Sequence, residues 1–149
     1  MISAQIYKQS ELANVAKKVL LMKPNIVALE GPMGVGKTAF TKVLAKALDI
    51  KDEIVSPTFV LHRSYLGKSG IALNHIDCWR MESYFELEQV GLAKIIEEKS
   101  IIVIEWADKF EKEIKRLSNK GVKLIWVRIE YPSTSSGQVV NKNERRISF

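Results

Sequence analysis

The chain has one cysteine, two histidines and no long hydrophobic run, and each scarcity excludes a class of protein. Cys78 alone cannot form an internal disulfide, which fits a reducing compartment. With only His62, His75 and Cys78 as soft ligands, a structural zinc site is not expected. No apolar stretch approaches the roughly 20 residues that cross a bilayer, and residues 1–5 do not open a signal peptide. We therefore expect a cytoplasmic protein without a membrane segment.

Net positive charge is small over most of the chain and concentrated near its end. Residues 1–110 are almost balanced, whereas residues 111–149 hold nine Lys/Arg against four Asp/Glu. Such an excess attracts nucleic acid or an acidic protein surface, but it also describes an ordinary soluble, lysine-rich exterior. Both interpretations stay open. The length of 149 residues predicts a single domain over 1–149 with a real core.

The most informative stretch is residues 31–38, GPMGVGKT, which fits the phosphate-loop pattern G-x-x-x-x-G-K-[ST] without a mismatch. Its glycines let the backbone aim successive N–H groups at phosphate oxygens, and the following helix N-terminus adds positive partial charge. We expect the cradle to consist of Met33, Gly34, Val35, Gly36, Lys37 and Thr38. Lys37 would reach the β- and γ-phosphates, and the Thr38 hydroxyl would ligate Mg²⁺.

The flanks of this stretch supply the required context. Residues 26–29 are wholly apolar, as expected for a strand buried on both faces of a parallel sheet. Helical spacing of apolar residues follows the loop, at Phe40, Val43, Leu44, Ala47 and Leu48. Strand, loop and helix come in the right order. The sequence therefore predicts a chain that binds a nucleoside triphosphate.

The remaining pattern predicts an α/β protein, a P-loop NTPase-like three-layer fold with a mixed β-sheet. Strands are expected at 2–7, 25–30, 58–65, 71–76, 101–104, 122–131 and 146–149, the last pairing antiparallel. Helices are expected at about 10–22 with Ser10 as N-cap, after the phosphate loop, and at 82–91, 92–99 and 108–117. Residues 66–70 form a turn and 132–143 a loop. The 101–104 strand is expected beside the phosphate-loop strand.

Two acids come directly after predicted strands. Glu105 follows the apolar run 101–104, and Asp77 follows 71–76. Ligands gather beyond the carboxyl ends of strands in open α/β sheets, and a phosphate-loop enzyme needs an acid there to hold Mg²⁺ or its water. Either carboxylate could instead simply cap a helix. With Lys37, these acids are our candidate catalytic residues, and Thr38 and Glu105 are our candidate metal ligands.

Other residues near these acids have two interpretations each. Residues 56–59, SPTF, are an ordinary connection or a loop that senses the γ-phosphate. Trp106 stacks on a ligand or belongs to the core. His75 is more often a hydrogen-bonded structural histidine than a catalyst. Arg80 neutralises phosphate or pairs with Asp77 or Glu82.

Taken together, five stretches resemble the bacterial TsaE (YjeE) family over roughly residues 10–131. They are residues 31–38, 56–59, 75–80 (HIDCWR), 91–92 (GL) and 104–106 (IEW). The phosphate loop alone is generic, but the ordered set of five is specific. The chain departs from the family pattern at Pro32, at Cys78 and Trp79, and at Ala107. None of these changes removes a phosphate or metal ligand.

The resemblance implies a small ATPase of tRNA threonylcarbamoyladenosine biosynthesis that uses ATP and Mg²⁺. It implies weak ATP hydrolysis and docking on a TsaB–TsaD heterodimer, with tRNA reached only through that assembly. It also implies that Asp77 is an essential acid near the γ-phosphate and that residues 56–59 are a switch at the partner interface. The alternatives are a small-molecule or nucleoside phosphotransferase and a nucleic-acid-binding module using the basic C-terminal part.

Overall fold

A seven-stranded mixed β-sheet forms the centre of the computed structural model, which describes residues 3–139 and 141–149. The order across the sheet is β1-β7-β6-β2-β5-β4-β3. The strands are β1 (Gln5–Lys8), β2 (Ile26–Glu30), β3 (His62–Leu66), β4 (Ala72–Asp77), β5 (Ser100–Glu105), β6 (Leu124–Glu130) and β7 (Glu144–Ser148). The α/β fold with a mixed sheet is thus confirmed.

The inner part of the sheet is parallel. Strand β2 lies between β5 and β6 and runs parallel to both, and β4 runs parallel to β5. The predicted neighbourhood of the 101–104 strand and the phosphate-loop strand is therefore correct. Because parallel strands end at one edge, the ends of β2, β4 and β5 meet there. Strands β3, β7 and β1 add to the two sides as antiparallel pairs.

Helices cover both faces of the sheet, which gives the predicted three layers. Helices α1 (Leu12–Leu21) and α2 (Lys37–Ala47) lie on one face, over the buried side chains of Val27 and Leu29. Ile26 and Ala28 point to the other face, under α3 (Tyr84–Gln89), α4 (Leu92–Glu97) and α5 (Glu111–Arg116). This alternation explains why β2 is apolar at every inner position: both of its faces are buried.

Several predicted boundaries move in the structure. Residues 58–61 form a turn rather than the start of a strand, because the N–H groups of Val60 and Leu61 both donate to the carbonyl of Pro57. Ser10 is not a helix N-cap but lies in a 3-10 turn, Gln9–Glu11. Ala47 is exposed, so the buried face of α2 lies one residue off the predicted stripe.

The remaining segments follow the predictions with smaller shifts. The predicted helix 108–117 divides into a 3-10 turn at Ala107–Phe110, helix α5 and a second 3-10 turn at Leu117–Lys120. The hairpin partnership of β3 and β4 and the antiparallel return of β7 are both present. Ile2, in the predicted strand 2–7, and Val140, in the predicted loop 132–143, lie outside the described residues. No helix in the described ranges is long and apolar enough to cross a membrane.

Candidate functional site

The phosphate loop connects β2 to α2 at the edge where the parallel strands end. A Cβ on Gly31 would lie 2.4 Å from the carbonyl oxygen of Ile129 in β6, so the loop can leave the sheet here only through glycine. Gly36 has φ of +114°, a backbone conformation that side chains rarely permit, immediately before the first residue of α2. The backbone therefore turns sharply into the helix, as a phosphate cradle requires.

Lys37 folds back over this loop. Its Nζ donates hydrogen bonds to the carbonyls of Gly31 at 2.5 Å and Pro32 at 2.8 Å, and the residue is 5% exposed. Burial lowers the pKa of Lys37, while the carboxylates of Glu105 and Asp77, among others, act in the opposite direction. The ammonium group is thus held close to the loop and close to both candidate acids.

Glu105 lies at the end of β5 and is almost fully buried. Its Oε1 accepts a hydrogen bond from Thr38 Oγ1 at 2.9 Å and lies 2.8 Å from His75 Nε2. Because an ionised carboxylate only accepts hydrogen bonds, His75 is the donor in that contact. The predicted metal ligands Thr38 and Glu105 therefore touch each other, and His75 fixes the carboxylate from the sheet.

Asp77 is held by different groups. Its Oδ2 accepts a hydrogen bond from Thr58 Oγ1 at 2.9 Å, and its Oδ1 accepts one from the backbone N–H of Trp79 at 2.7 Å. The Thr58 hydroxyl is also 2.8 Å from that of Ser56. In the parallel register Asp77 lies directly opposite Glu105. The two acids are therefore neighbours, but each is bonded to a different segment.

Two tryptophans form one wall of the site. The rings of Trp79 and Trp106 have centroids 4.3 Å apart, and the Nζ of Lys37 lies 3.9 Å from the Trp106 ring centroid. Trp106 has φ of +56°, an uncommon conformation for a residue with a bulky side chain. Such strained backbone clusters at functional sites, and here it directs an aromatic ring toward the lysine.

These groups surround one cleft of about 310 Å³. Of the residues predicted for the site, all but Val35 line it: the Val35 side chain is buried behind the loop. The cleft is lined by Met33, Gly34, Gly36, Lys37, Thr38, Ala39, Ser56, Thr58, Asp77, Trp79, Glu105 and Trp106. Cys78 is buried and does not line the cleft, and burial raises the pKa of its thiol to about 12.

The sequence did not identify three contacts that shape the site. His75 forms a hydrogen bond with Glu105. The signal that could have indicated its position is the spacing of two residues between His75 and Asp77 on one strand, which puts these two side chains on the same face. Tyr131 donates its hydroxyl to the carbonyl of Gly34 at 3.0 Å, and Arg145 Nε donates to that of Val35 at 2.6 Å. No sequence pattern marks these last two, because they reach the loop from distant positions.

In the described part of the chain Arg80 does not form the ion pair with Asp77 or Glu82 that was considered for it, and its predicted role toward phosphate stays a prediction. Its guanidinium lies 4.7 Å from the ring centroid of Phe59. Phe59 is 80% exposed. The pair therefore belongs to the rim of the cleft and not to its interior.

The parallel sheet, the glycine loop at its edge and the lysine folded over that loop define a P-loop α/β protein. The fold matches the crystal structure of Bacillus subtilis YdiB with a TM-score of 0.62, at 22% identity, over 99% of this chain and 84% of that one.

The family model of threonylcarbamoyl adenosine biosynthesis protein TsaE matches residues 6–139, and the chain belongs to this family. A Treponema pallidum protein, tRNA threonylcarbamoyladenosine biosynthesis protein TsaE, is 36% identical over 64% of this chain and 69% of its own length. The Bacillus subtilis protein of that name is 36% identical over 60% of this chain and 55% of its own length. The family takes part in a tRNA modification pathway, as predicted.

Proposed function

We propose that this chain binds ATP with Mg²⁺ at the phosphate loop, hydrolyses it weakly, and acts with a TsaB–TsaD heterodimer in making threonylcarbamoyladenosine in tRNA. The observation that carries the proposal is the convergence of Lys37, Thr38, Asp77 and Glu105 on one cleft beside the loop. Membership of the TsaE family supplies the pathway. We also propose that 1–149 acts as a single domain in the cytoplasm.

Binding of the phosphates would change the contacts of Lys37. Its ammonium group now bonds two loop carbonyls, and a phosphate in the cradle offers stronger, charge-assisted acceptors. The backbone N–H groups of the loop and of the α2 N-terminus remain in place, because Gly36 sets their direction. Binding therefore needs a side-chain movement but no rearrangement of the sheet.

The residues present fit a magnesium ion. Thr38 and Glu105 offer a hydroxyl and a carboxylate whose oxygens are 2.9 Å apart, and hard oxygen ligands suit Mg²⁺. Among the described residues no group of three or more His, Cys, Asp or Glu could hold a metal ion. That fits Mg²⁺, which usually takes one or two protein ligands, substrate phosphates and water. When bound, Mg²⁺ supplies neutralisation of phosphate charge.

In this proposal Asp77 acts on water at the γ-phosphate end of the site. Both of its oxygens accept a hydrogen bond, one from Thr58 and one from the Trp79 backbone, so the carboxylate is fixed in orientation. Thr58 belongs to the predicted switch segment 56–59, and its hydroxyl connects that segment to the acid. A shift of the segment on γ-phosphate binding would therefore alter how Asp77 orients a water.

The charges around the cleft support the proposal that the chain alone hydrolyses ATP weakly. Lys37 is the single basic side chain among the described residues that line it. P-loop enzymes commonly need an arginine as well to stabilise the transition state, and it is often supplied by another protein. We propose that the TsaB–TsaD pair completes the site in this way or by ordering the switch segment.

The rim of the cleft suits a protein partner. Met33, Phe59 and Trp79 are 67%, 80% and 43% exposed, and all three lie at or next to the cleft opening. Exposed apolar side chains grouped on one surface often mark an interaction site. Covering them would also exclude water from the bound phosphates.

The test is turnover of ATP by the purified chain with and without purified TsaB–TsaD. We expect slow phosphate release by the chain alone and a clear change in nucleotide affinity or turnover when the pair is added. A Phe59→Ser variant should bind ATP as the wild type does but respond less to the pair. If the pair changes neither affinity nor turnover, the partnership is wrong.

The phosphotransferase alternative is tested in the same assay. Candidate hydroxyl acceptors are added, and ADP formation is compared with release of inorganic phosphate. ADP formed in excess of phosphate would mean that an acceptor takes the phosphoryl group. Equal amounts would support hydrolysis.

A further inference from the structure

Lys109 joins the two segments that follow the candidate acids Asp77 and Glu105. Its Nζ donates hydrogen bonds to the carbonyl of Trp79 at 2.8 Å and to that of Met81 at 2.6 Å. We propose that Lys109 is a positioning residue for Trp79 and, through the backbone of Trp79, for Asp77. Its effect on turnover rests on the proposed function.

The backbone that carries Lys109 is fixed. It belongs to the 3-10 turn Ala107–Phe110, and its N–H donates to the carbonyl of Trp106 at 3.2 Å. The side chains of Ala107 and Phe110 are buried, so they anchor the turn in the core. Lys109 therefore extends its ammonium group from a fixed point that lies four residues after Glu105.

The segment that Lys109 contacts has buried ends and an exposed middle. Cys78 and Met81 are buried, whereas Trp79 and Arg80 between them are exposed. Packing in the core therefore fixes the two ends of this turn but not its middle. The hydrogen bond from Lys109 to the Trp79 carbonyl supplies a contact there.

Trp79 is held on both sides of its backbone. Its N–H donates to Asp77 Oδ1 at 2.7 Å, and its carbonyl accepts the hydrogen bond from Lys109. If the lysine is lost, the backbone of Trp79 is free to rotate, and the N–H that orients Asp77 moves with it. Lys109 thus acts on the carboxylate without touching it.

The same backbone sets the direction of the Trp79 ring. The ring lies against that of Trp106 with centroids 4.3 Å apart and planes tilted by 40°, an offset arrangement that aromatic pairs favour. Because Trp79 is 43% exposed, solvent covers much of the ring, and its contact with Trp106 depends on where the backbone holds it. The geometry of this ring pair therefore reports whether Lys109 holds the turn.

The contacts of Lys109 differ from those of an ordinary surface lysine. Among the described residues it forms no ion pair, and two backbone carbonyls accept its hydrogen bonds instead. An ammonium group has three donors and no acceptor, and hydrogen bonds from a charged donor are stronger than neutral ones. Arginine at this position keeps the charge and the donors, whereas methionine keeps an unbranched side chain and loses both.

The test compares the wild type with Lys109→Met, Lys109→Arg and the control Lys112→Met. Lys112 is an exposed lysine of α5 that forms no ion pair among the described residues. The first measurement is circular dichroism, because two close and tilted indole rings couple and give an exciton couplet. Trp79→Phe assigns the couplet, since it leaves only one indole of the pair.

The second measurement is ATP turnover alongside Mg²⁺–ATP affinity. Lys109→Met should lose at least about half of the couplet and about fivefold in turnover, with affinity changed less than about twofold, because the residues of the phosphate loop are untouched. Lys109→Arg should recover most of the couplet and of the turnover. Lys112→Met should match the wild type in all three quantities.

A folded Lys109→Met that keeps the wild-type couplet would overturn the proposal, whatever its turnover. Loss of the couplet with unchanged turnover would overturn the link to Asp77. If Lys109→Met does not fold, Lys109→Gln, which is shorter and uncharged, takes its place with the same expectations. No hydrolysis of ATP by the wild type would overturn the proposed function, whereas the couplet would still decide whether Lys109 positions Trp79.

Discussion

His75 Nε2 lies 2.8 Å from Glu105 Oε1 in the interior of the protein, and the same carboxylate oxygen accepts the hydroxyl of Thr38. The Oε1 atom of Glu105 thus accepts one hydrogen bond from the sheet and one from the start of α2. The other ring nitrogen of His75, Nδ1, has no hydrogen-bond partner among the described residues. A neutral imidazole protonated at Nε2 fits these contacts, because Nδ1 is then only an acceptor. His75 is therefore a positioning residue for Glu105.

Replacing His75 tests this role. His75→Ala leaves the buried Glu105 carboxylate with one donor fewer, so we expect the free energy of unfolding to fall by about 1–3 kcal/mol. It should also weaken the Mg²⁺-dependent part of nucleotide binding, because Glu105 is no longer fixed. Urea unfolding and nucleotide titration with and without Mg²⁺ measure the two effects.

His75→Gln separates positioning from packing, since its amide can still donate to Glu105. It should recover most of the Mg²⁺ dependence even if it does not recover all of the stability. If both variants lose stability but keep a wild-type response to Mg²⁺, His75 has a purely structural role and the positioning account is wrong.

The sequence predicts most of the fold because its inner strands are buried on both faces. The apolar runs at 26–29 and 101–104 have no other stable environment than the middle of a covered sheet, and they lie side by side as expected. The prediction that a strand begins at residue 58 is wrong. Pro57 favours an extended conformation in the residue before it, but its own carbonyl accepts the hydrogen bonds that close a turn after it. The turn is built from Thr58, Phe59 and Val60, residue types that favour strands, so the local pattern predicts a strand there.

The site is predicted less completely for a physical reason. Lys37, Thr38, Asp77 and Glu105 follow from a motif and from strand ends, so their proximity could be anticipated. Arg145 reaches the loop because β7 returns beside β6 and β1, a pairing between segments far apart in sequence. Its contact with the loop depends on that topology, and a single sequence does not specify it.

The two acids should have separable roles. Glu105 touches Thr38, so Glu105→Gln should reduce the increase in nucleotide affinity that Mg²⁺ gives, since the amide keeps the size but loses the charge. Asp77 is bonded to Thr58 instead, so Asp77→Asn should keep Mg²⁺-dependent binding and lose turnover by at least tenfold. Nucleotide titrations with and without Mg²⁺, alongside turnover, measure both.

The reverse pattern would show that the two roles are assigned backwards. That is the outcome if Mg²⁺ strengthens binding equally in wild type and Glu105→Gln, while Asp77→Asn abolishes the effect. Unfolding curves of both variants serve as the control that neither has lost its fold.

Cys78 makes a pH-dependent contribution to stability. Burial, with a smaller effect from the Asp77 charge, raises the pKa of its thiol from 9.0 to about 12. Above pH 9 the unfolded chain releases this proton more readily than the folded chain, so stability falls as pH rises. Between pH 9 and 10 this one group should lower the free energy of unfolding by about 1 kcal/mol.

Comparison with Cys78→Ala isolates that contribution, because the other titrating groups are common to both proteins. Urea unfolding at pH 8, 9 and 10 should show a steeper loss of stability in the wild type than in the variant. Parallel pH dependences would mean that the thiol ionises equally easily in the folded protein.

The most direct test of the account is calorimetric titration of Mg²⁺–ATP into the wild type, Lys37→Ala and the exposed control Lys46→Ala. Lys37 is the one lysine that bonds the loop carbonyls among the described residues, and its loss removes charge stabilisation of the phosphates. We predict measurable binding by the wild type and Lys46→Ala, and at least a hundredfold loss in a folded Lys37→Ala. Equal affinity in all three proteins, or no binding by the wild type, would contradict it.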